Sequence, residues 1–167
     1  MRQRVLNTVA AMVVAAPVAL TVGVDTAAAG PPSSGGATFL PFAQMFRRCD
    51  HSANTHTGPT AYARVSAMVR STGSEVAADT QIATAEPNTP YDVRLIQMPR
   101  SSASGCNAGD PGVIAGVMMT DGAGAGSITL RGPVASGATG VWMFVSRPGE
   151  FSQTPAEFYT SDFVVKF

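Results

Sequence analysis

Residues that carry chemistry are scarce in this chain. Among 167 residues there are two cysteines (Cys49, Cys106), two histidines (His51, His56) and one tryptophan, and only 13% of the residues are charged. There is no Gly-x-Ser-x-Gly, so the nucleophile elbow of the α/β-hydrolases is excluded. There is no run of basic residues, which argues against nucleic acid as a partner. Past the N-terminus no segment approaches the ~18 unbroken apolar residues of a membrane-spanning helix. No apolar stripe of period 3.6 is sustained anywhere, so long helices are not expected.

What is present begins with an address. Arg2 and Arg4 precede a stretch rich in Ala, Val and Leu from Val5 to Val24, and "DTAAAG" (Asp25 to Gly30) follows with Ala27 and Ala29 at the small positions. That is the three-part pattern of a secretory signal peptide, residues 1–29. Asn7, Thr8 and Pro17 interrupt the apolar run, which favours cleavage over a retained anchor. No cysteine follows the run to take a lipid, and Gln3 separates the two arginines, so a twin-arginine signal is excluded. Residues 30–38 hold "GPPSSGGA" and read as a flexible leader. The remaining 39–167 are the length of one ordinary domain. Past Ala29 there are 9 basic residues (11 less Arg2 and Arg4) against 10 acidic (11 less Asp25). The expected location is outside the cytoplasm: secreted, extracellular or in the cell envelope.

Export places the two thiols in an oxidising space, where a lone pair closes into a disulfide. Joining Cys49 to Cys106 closes a long loop, worth roughly 4 kcal/mol on a chain-entropy estimate. A bridged Cys49 is neither nucleophile nor ligand, since both roles need the thiolate. In "RRCDHSANTHTG" (Arg47 to Gly58), His51 and His56 lie five apart, which places them on no common helix face. Asp50 adds a third donor of a kind zinc accepts, but the spacing matches no recognised zinc motif. Ser52, Asn54, Thr55, Thr57 and Gly58 are turn formers, and an ordinary polar loop is the simpler reading. No metal, no cofactor and no catalytic residue is expected.

Alternation of period two recurs. "AYARVSAMVR" (61–70) puts Ala61, Ala63, Val65, Ala67 and Val69 on one face, and "EVAADTQIAT" (75–84) does the same with Val76, Ala78, Thr80 and Ile82. "YDVRLIQM" (91–98), "SITLR" (127–131) and "DFVVKF" (162–167) follow the pattern, the last with Phe163, Val165 and Phe167 aligned. "VIAGVMMT" (113–120) and "VWMFV" (141–145) are apolar on both faces, as central strands are. Gly/Pro breakers separate these segments, and "TDGAGAGS" (Thr120 to Ser127) has neither the lysine nor the helix of a phosphate loop, so it reads as a hairpin turn with Asp121 at its start. A short helix is expected near "PFAQMFRRC", where Phe42, Met45 and Phe46 would share a face, and a helical turn at "TPAEFY" with Pro155 first. The sum is an all-β antiparallel sandwich of about seven strands, immunoglobulin-like with Greek-key connections. Trp142 follows both cysteines, so the Cys…Trp…Cys order of antibody domains is missing.

The aromatics gather in the last third. Alternation puts Trp142 and Phe144 on one face of their strand and Val141, Met143 and Val145 on the other. The aromatic face is expected to lie under "RPGEFSQTPAEFY"; left open, it forms a binding patch of Trp142, Phe144, Phe151 and Tyr159. Within that segment Glu150 and Glu157 flank Phe151, and solvated loop charges are a simpler account of them than an acid–base pair.

The Ala/Val-rich leader, the Ala/Gly/Thr-rich chain and the run "YDVRL", "C", "GVMMTDGAGAGSITL", "GATGVWMFV" resemble small exported proteins of actinobacteria, mycobacteria especially, that carry immunoglobulin-like sandwiches. The resemblance covers roughly residues 60 to 167. It implies an extracytoplasmic or envelope location and brings no catalytic residues. The expected function is a non-catalytic module that binds a protein or an envelope component. The competing readings are a small hydrolase or metal-binding protein built on the His51/His56 loop and a carrier of an apolar ligand.

Overall fold

The computed structural model describes residues 36–54, 61–150 and 154–167. The predicted signal peptide, most of the leader, His56 and Phe151 lie outside the described residues. Among the described residues the chain is all-β with no helix. It has nine strands: β1 (Thr38–Ala43), β2 (Arg64–Ser71), β3 (Glu75–Ala83), β4 (Pro90–Met98), β5 (Val113–Met119), β6 (Gly126–Pro133), β7 (Gly140–Arg147), β8 (Glu157–Ser161) and β9 (Val165–Lys166). Every ladder is antiparallel, and the hydrogen-bonded order is β5-β4-β7-β8-β1-β2-β3-β6, with β9 added to β7.

Strand β1 joins the two halves of this series. Thr38 to Pro41 pair with β2, whereas Phe42 and Ala43 pair with β8. The sheet therefore curls through β1 into a nearly closed barrel around one core. Alternation selects that core. On one side Val65, Ala67 and Val69 of β2 lie opposite Ile82, Thr80 and Ala78 of β3, and Ala78 and Thr80 lie opposite Leu130 and Ile128 of β6. On the other, Val93 and Leu95 of β4 lie opposite Val145 and Met143 of β7, and Val145 opposite Tyr159 of β8. Apart from Thr80, which is buried among them, these residues form one apolar cluster. Hydrophobic burial of this kind is the dominant favourable term in folding.

The barrel closes where β5 meets β6, through side chains. Ile128 and Leu130 of β6 lie over Gly116 of β5: a Cβ there would come within 2.8 Å of Ile128 Cδ1. In return Ile114 of β5 lies over Gly132 of β6. The hairpin joining the two strands is the glycine-rich turn. Asp121 Oδ1 accepts hydrogen bonds from the amides of Ala123 (2.8 Å) and Ala125 (2.9 Å), and these bonds hold its carboxyl below the usual carboxylate range. Gly124 has φ 75° and donates no space: a Cβ would sit 2.1 Å from the carbonyl oxygen of Ala85, whose amide bonds to the Gly124 carbonyl. Gly124→Ala therefore combines backbone strain with a clash, and is expected to lower stability in urea by roughly 2–4 kcal/mol. An unchanged unfolding midpoint would show that the turn is not docked on the β3–β4 loop.

Several expectations need correction. The strands number nine, not about seven. The helix expected at "PFAQMFRRC" is the end of β1 followed by an irregular segment, because pairing with β2 and β8 takes the backbone groups a helix would use. Its two rings part, Phe42 to the inner cluster and Phe46 to an outer one. The turn expected at "TPAEFY" is strand β8, buried along its whole length between β7 and β1. Strand β5 is not central. It ends the hydrogen-bonded series, and Val117 and Met119 are 57% and 56% exposed. At the C-terminus only Val165 turns inward, while Phe163 and Phe167 reach solvent. Strand β7, by contrast, is buried on both faces. No helix among the described residues is long and apolar enough to cross a membrane.

Candidate functional site

The outer face of β4 and β7 carries a second aromatic cluster. Register decides its membership. Ile96 lies opposite Trp142, Arg94 opposite Phe144, and Asp92 opposite Ser146, while Phe144 and Ser146 lie opposite Thr160 and Phe158 of β8. Phe46 stands edge-on to Phe144 (ring centroids 6.1 Å apart) and to Phe158 (5.2 Å), an arrangement that aromatic quadrupoles favour. Arg94 lies over the Phe144 ring at 5.5 Å, and its Nη1 donates to Asn107 Oδ1 (3.1 Å) and to the Cys106 carbonyl (3.4 Å). The guanidinium is thus fixed by a ring below and a loop beside it.

The cover on this face comes from the N-terminal segment, with Phe158 of β8 beside it, and the disulfide pins that segment down. Cys49 and Cys106 are joined, 57 positions apart in sequence, with Cα atoms 5.6 Å apart. The bridge ties the turn after β1 to the loop between β4 and β5. That turn closes through Arg48 N–H to the Ser52 carbonyl (2.9 Å) and Asn54 N–H to the Phe46 carbonyl (2.8 Å). Asp50 Oδ1 accepts from Ser52 N (3.0 Å) and Ser52 Oγ (2.6 Å), and these bonds hold the Asp50 carboxyl below the usual range. His51 takes a left-handed conformation (φ 65°) and turns its ring inward. Its Nε2 donates to the Ser161 carbonyl (3.0 Å), and the ring stands 5.3 Å from that of Trp142. Burial lowers the imidazole pKa, opposed by the Ser161 bond. Trp142 Nε1 donates to the Cys49 carbonyl (3.3 Å).

The predicted site residues therefore fall in different places. Trp142 (1% exposed) and Phe144 (8%) share the outer face, as alternation implied, but they lie under the pinned segment. Tyr159 (2%) points the opposite way, into the barrel. His51 spends Nε2 on a carbonyl and serves as part of the cover. The described residues contain no group of three or more His, Cys, Asp and Glu side chains able to hold a metal.

Beside the bridge the cover leaves a cavity of about 400 Å³, lined by Phe46, Arg47, Arg48, Arg94, Asn107 and Phe144 with both cysteines. A second cavity of about 310 Å³ shares Phe46, Arg94, Asn107 and Phe144 with it and continues along β4 and β7 to Asp92 and Ser146. The two make one trough with Arg94 in the middle. Nothing in the local sequence singles out Arg94, because its position arises from a cross-strand pairing and a disulfide-held loop.

A polar knot occupies the end of the barrel. Glu157 is buried, its Oε2 accepting from Tyr91 Oη (2.8 Å) and Arg147 Nε (3.2 Å), and its Oε1 from Tyr159 Oη. The phenol oxygens in turn accept from Glu86 N–H (3.1 Å) and Ala63 N–H (2.9 Å). Burial, reinforced by the Glu157 bond, pushes the Tyr91 pKa up to about 12 and raises that of Tyr159 as well. Burial disfavours the Arg147 charge, but Glu157 outweighs it and the pKa is raised. Both phenols ionise less readily in the fold than in the unfolded chain. Their contribution to stability is intact below about pH 10 and declines as pH rises toward 12. Urea titrations across that range should show the Tyr91 share, on the order of 2–3 kcal/mol, disappear. A flat profile would mean that the hydroxyls are solvated. Both Glu157 oxygens are thus taken, and Glu150 is exposed. No protein-family model matches the chain, and neither a curated protein nor a solved structure shows significant similarity to it.

Proposed function

We propose that the chain is an exported, non-catalytic binding module of the cell envelope or extracellular space, and that its partner, a protein or envelope component, seats in the trough beside the disulfide. One observation carries this reading: the trough is floored by interlocked rings and crossed by a guanidinium fixed in place by Phe144, Asn107 and Cys106. Rigid aromatic and arginine groups are what interfaces use as anchors. Two supports bear on location. The closed Cys49–Cys106 bridge suits an oxidising compartment, and the N-terminal pattern reads as an export signal.

The immunoglobulin-like, Greek-key sandwich belongs to the same proposal. In its favour, β1-β2-β3-β6 and β5-β4-β7-β8 form two layers that share β1. Strand β4 pairs with β5, β5 meets β6 of the other layer through side chains, and β7 returns beside β4, as in a Greek key that crosses between layers. Capture from culture filtrate and cell-wall extract on the immobilised protein tests the function. The expected result is a partner retained at native pH, with no hydrolysis of ester, peptide or glycoside substrates above background. Hydrolysis that disappears in His51→Ala would overturn it in favour of an enzyme.

A further inference from the structure

We infer that the cavity beside the disulfide receives an acidic side chain presented by an extended segment of a partner protein, with a neighbouring apolar side chain of that segment lying against Phe46 and Phe144. The inference rests on the binding-module reading and specifies its ligand. Three arginines line this cavity, Arg47, Arg48 and Arg94, and none of its lining residues among the described ones is a carboxylate; Asp92 lines only the adjoining part of the trough. The nearest acid on the same turn, Asp50, is not among the lining residues and gives Oδ1 to Ser52. None of the three arginines is in an ion pair among the described residues.

Two of the three guanidiniums, those of Arg94 and Arg47, are held in place by hydrogen bonds. Arg94 is fixed as described above. Arg47 donates to the carbonyls of His51 (3.2 Å) and Asp162 (3.4 Å), while its Nε is buried with no hydrogen-bond partner among the described residues. Arg48 stands exposed at the rim. Three cations within one small, partly dehydrated site repel one another and attract a carboxylate more strongly than they would in water. Phe46 and Phe144 set the second requirement, an apolar body next to the charge.

Shape decides the carrier. Arg48, Ser102 and Asn107 at the rim are all exposed. An open trough does not enclose the 70–90% of surface that a free small ligand buries. It suits a side chain delivered from a larger surface, whose remaining contacts supply affinity.

Trp142 lines this cavity and is the only tryptophan of the chain, so its fluorescence reports on the site alone. The full chain is titrated with the blocked peptide acetyl-Gly-Glu-Phe-Glu-Gly-amide, with its counterpart carrying lysine for glutamate, and with phenylacetate. The expected result is a saturable change with the acidic peptide that weakens as salt rises. Arg48→Glu and Arg94→Gln are each expected to weaken binding by about tenfold or more. Arg48 is exposed, so its variant keeps the test valid if Arg94→Gln folds poorly. No saturable change, equal binding of the lysine peptide, or an unaffected Arg48→Glu would overturn the inference. Phenylacetate binding as tightly as the peptide would overturn it in favour of a free small carboxylate. A partner captured equally by wild type and by both arginine variants would sink this inference alone and leave the binding module standing.

Discussion

Glu157→Ala is expected to cost about 3–5 kcal/mol, a large fraction of the stability of an ordinary domain. The carboxylate is the shared acceptor for Tyr91, Tyr159 and Arg147. Removing it leaves two buried hydroxyls without their acceptor and a partly buried guanidinium without its counter-charge. The cost of orphaned buried partners exceeds the net worth of the bonds themselves. Geometry adds to the effect. Arg147 ends β7, Glu157 begins β8 and the two lie opposite in register, while Tyr91 follows Pro90 at the start of β4. One carboxylate therefore holds three strands at the same end of the barrel. Glu157→Gln keeps the shape and an acceptor but not the charge, so an intermediate loss is expected. Tyr91→Phe removes one bond and is expected to cost about 1–2 kcal/mol. Urea unfolding of the three variants gives the order. A loss below about 1 kcal/mol for Glu157→Ala would mean that the carboxylate behaves as an ordinary surface charge.

Seven strands were legible: five by a clean period of two, which burial of one face imposes directly, and β5 and β7 as short apolar runs between Gly/Pro breakers. Ala63, Val65, Ala67 and Val69 are buried as the alternation required. The two strands that escaped notice lack it. In β1 the chain changes partner at Phe42 and carries Pro41, so its residues do not alternate about one sheet. In β8 an acid, two rings and two hydroxyls are all buried, and hydrophobicity alone cannot announce a buried glutamate that bonds Tyr91, Arg147 and Tyr159. Strand β5 reads as central because Val117 and Met119 are apolar, yet nothing in a local pattern says which strand ends the series. The site divides in the same way. The bridge and the shared face of Trp142 and Phe144 were legible. The seating of Arg94 on Phe144 was not, since it depends on the register of β4 against β7.

Cys49→Ser/Cys106→Ser is expected to lose roughly 4 kcal/mol, the closure entropy of a loop of 57 positions, within a range of about 2–5. A global loss is only half of the expectation. Phe46 anchors the start of the segment after β1 against Phe144 and Phe158; over Trp142 itself, three contacts besides the bridge hold it: the His51 ring against Trp142, the His51 bond to the Ser161 carbonyl, and the Trp142 bond to the Cys49 carbonyl. Two of the three are made by His51 and one by the backbone of Cys49 itself. All sit within two positions of the bridge, so cutting it relaxes them together. The variant that still folds should therefore expose Trp142 before the barrel opens. Its emission should shift to the red in the absence of denaturant, and acrylamide should quench it more readily, while the far-ultraviolet spectrum of the sheet is kept. His51→Ala in the bridged protein separates the two causes. It removes the ring contact and leaves the tether, so a much smaller shift is expected. Unchanged Trp142 emission in the double-serine variant would mean that strand pairing through Phe42 and Ala43 is enough to hold the cover. In that case the disulfide would act on the unfolded chain alone.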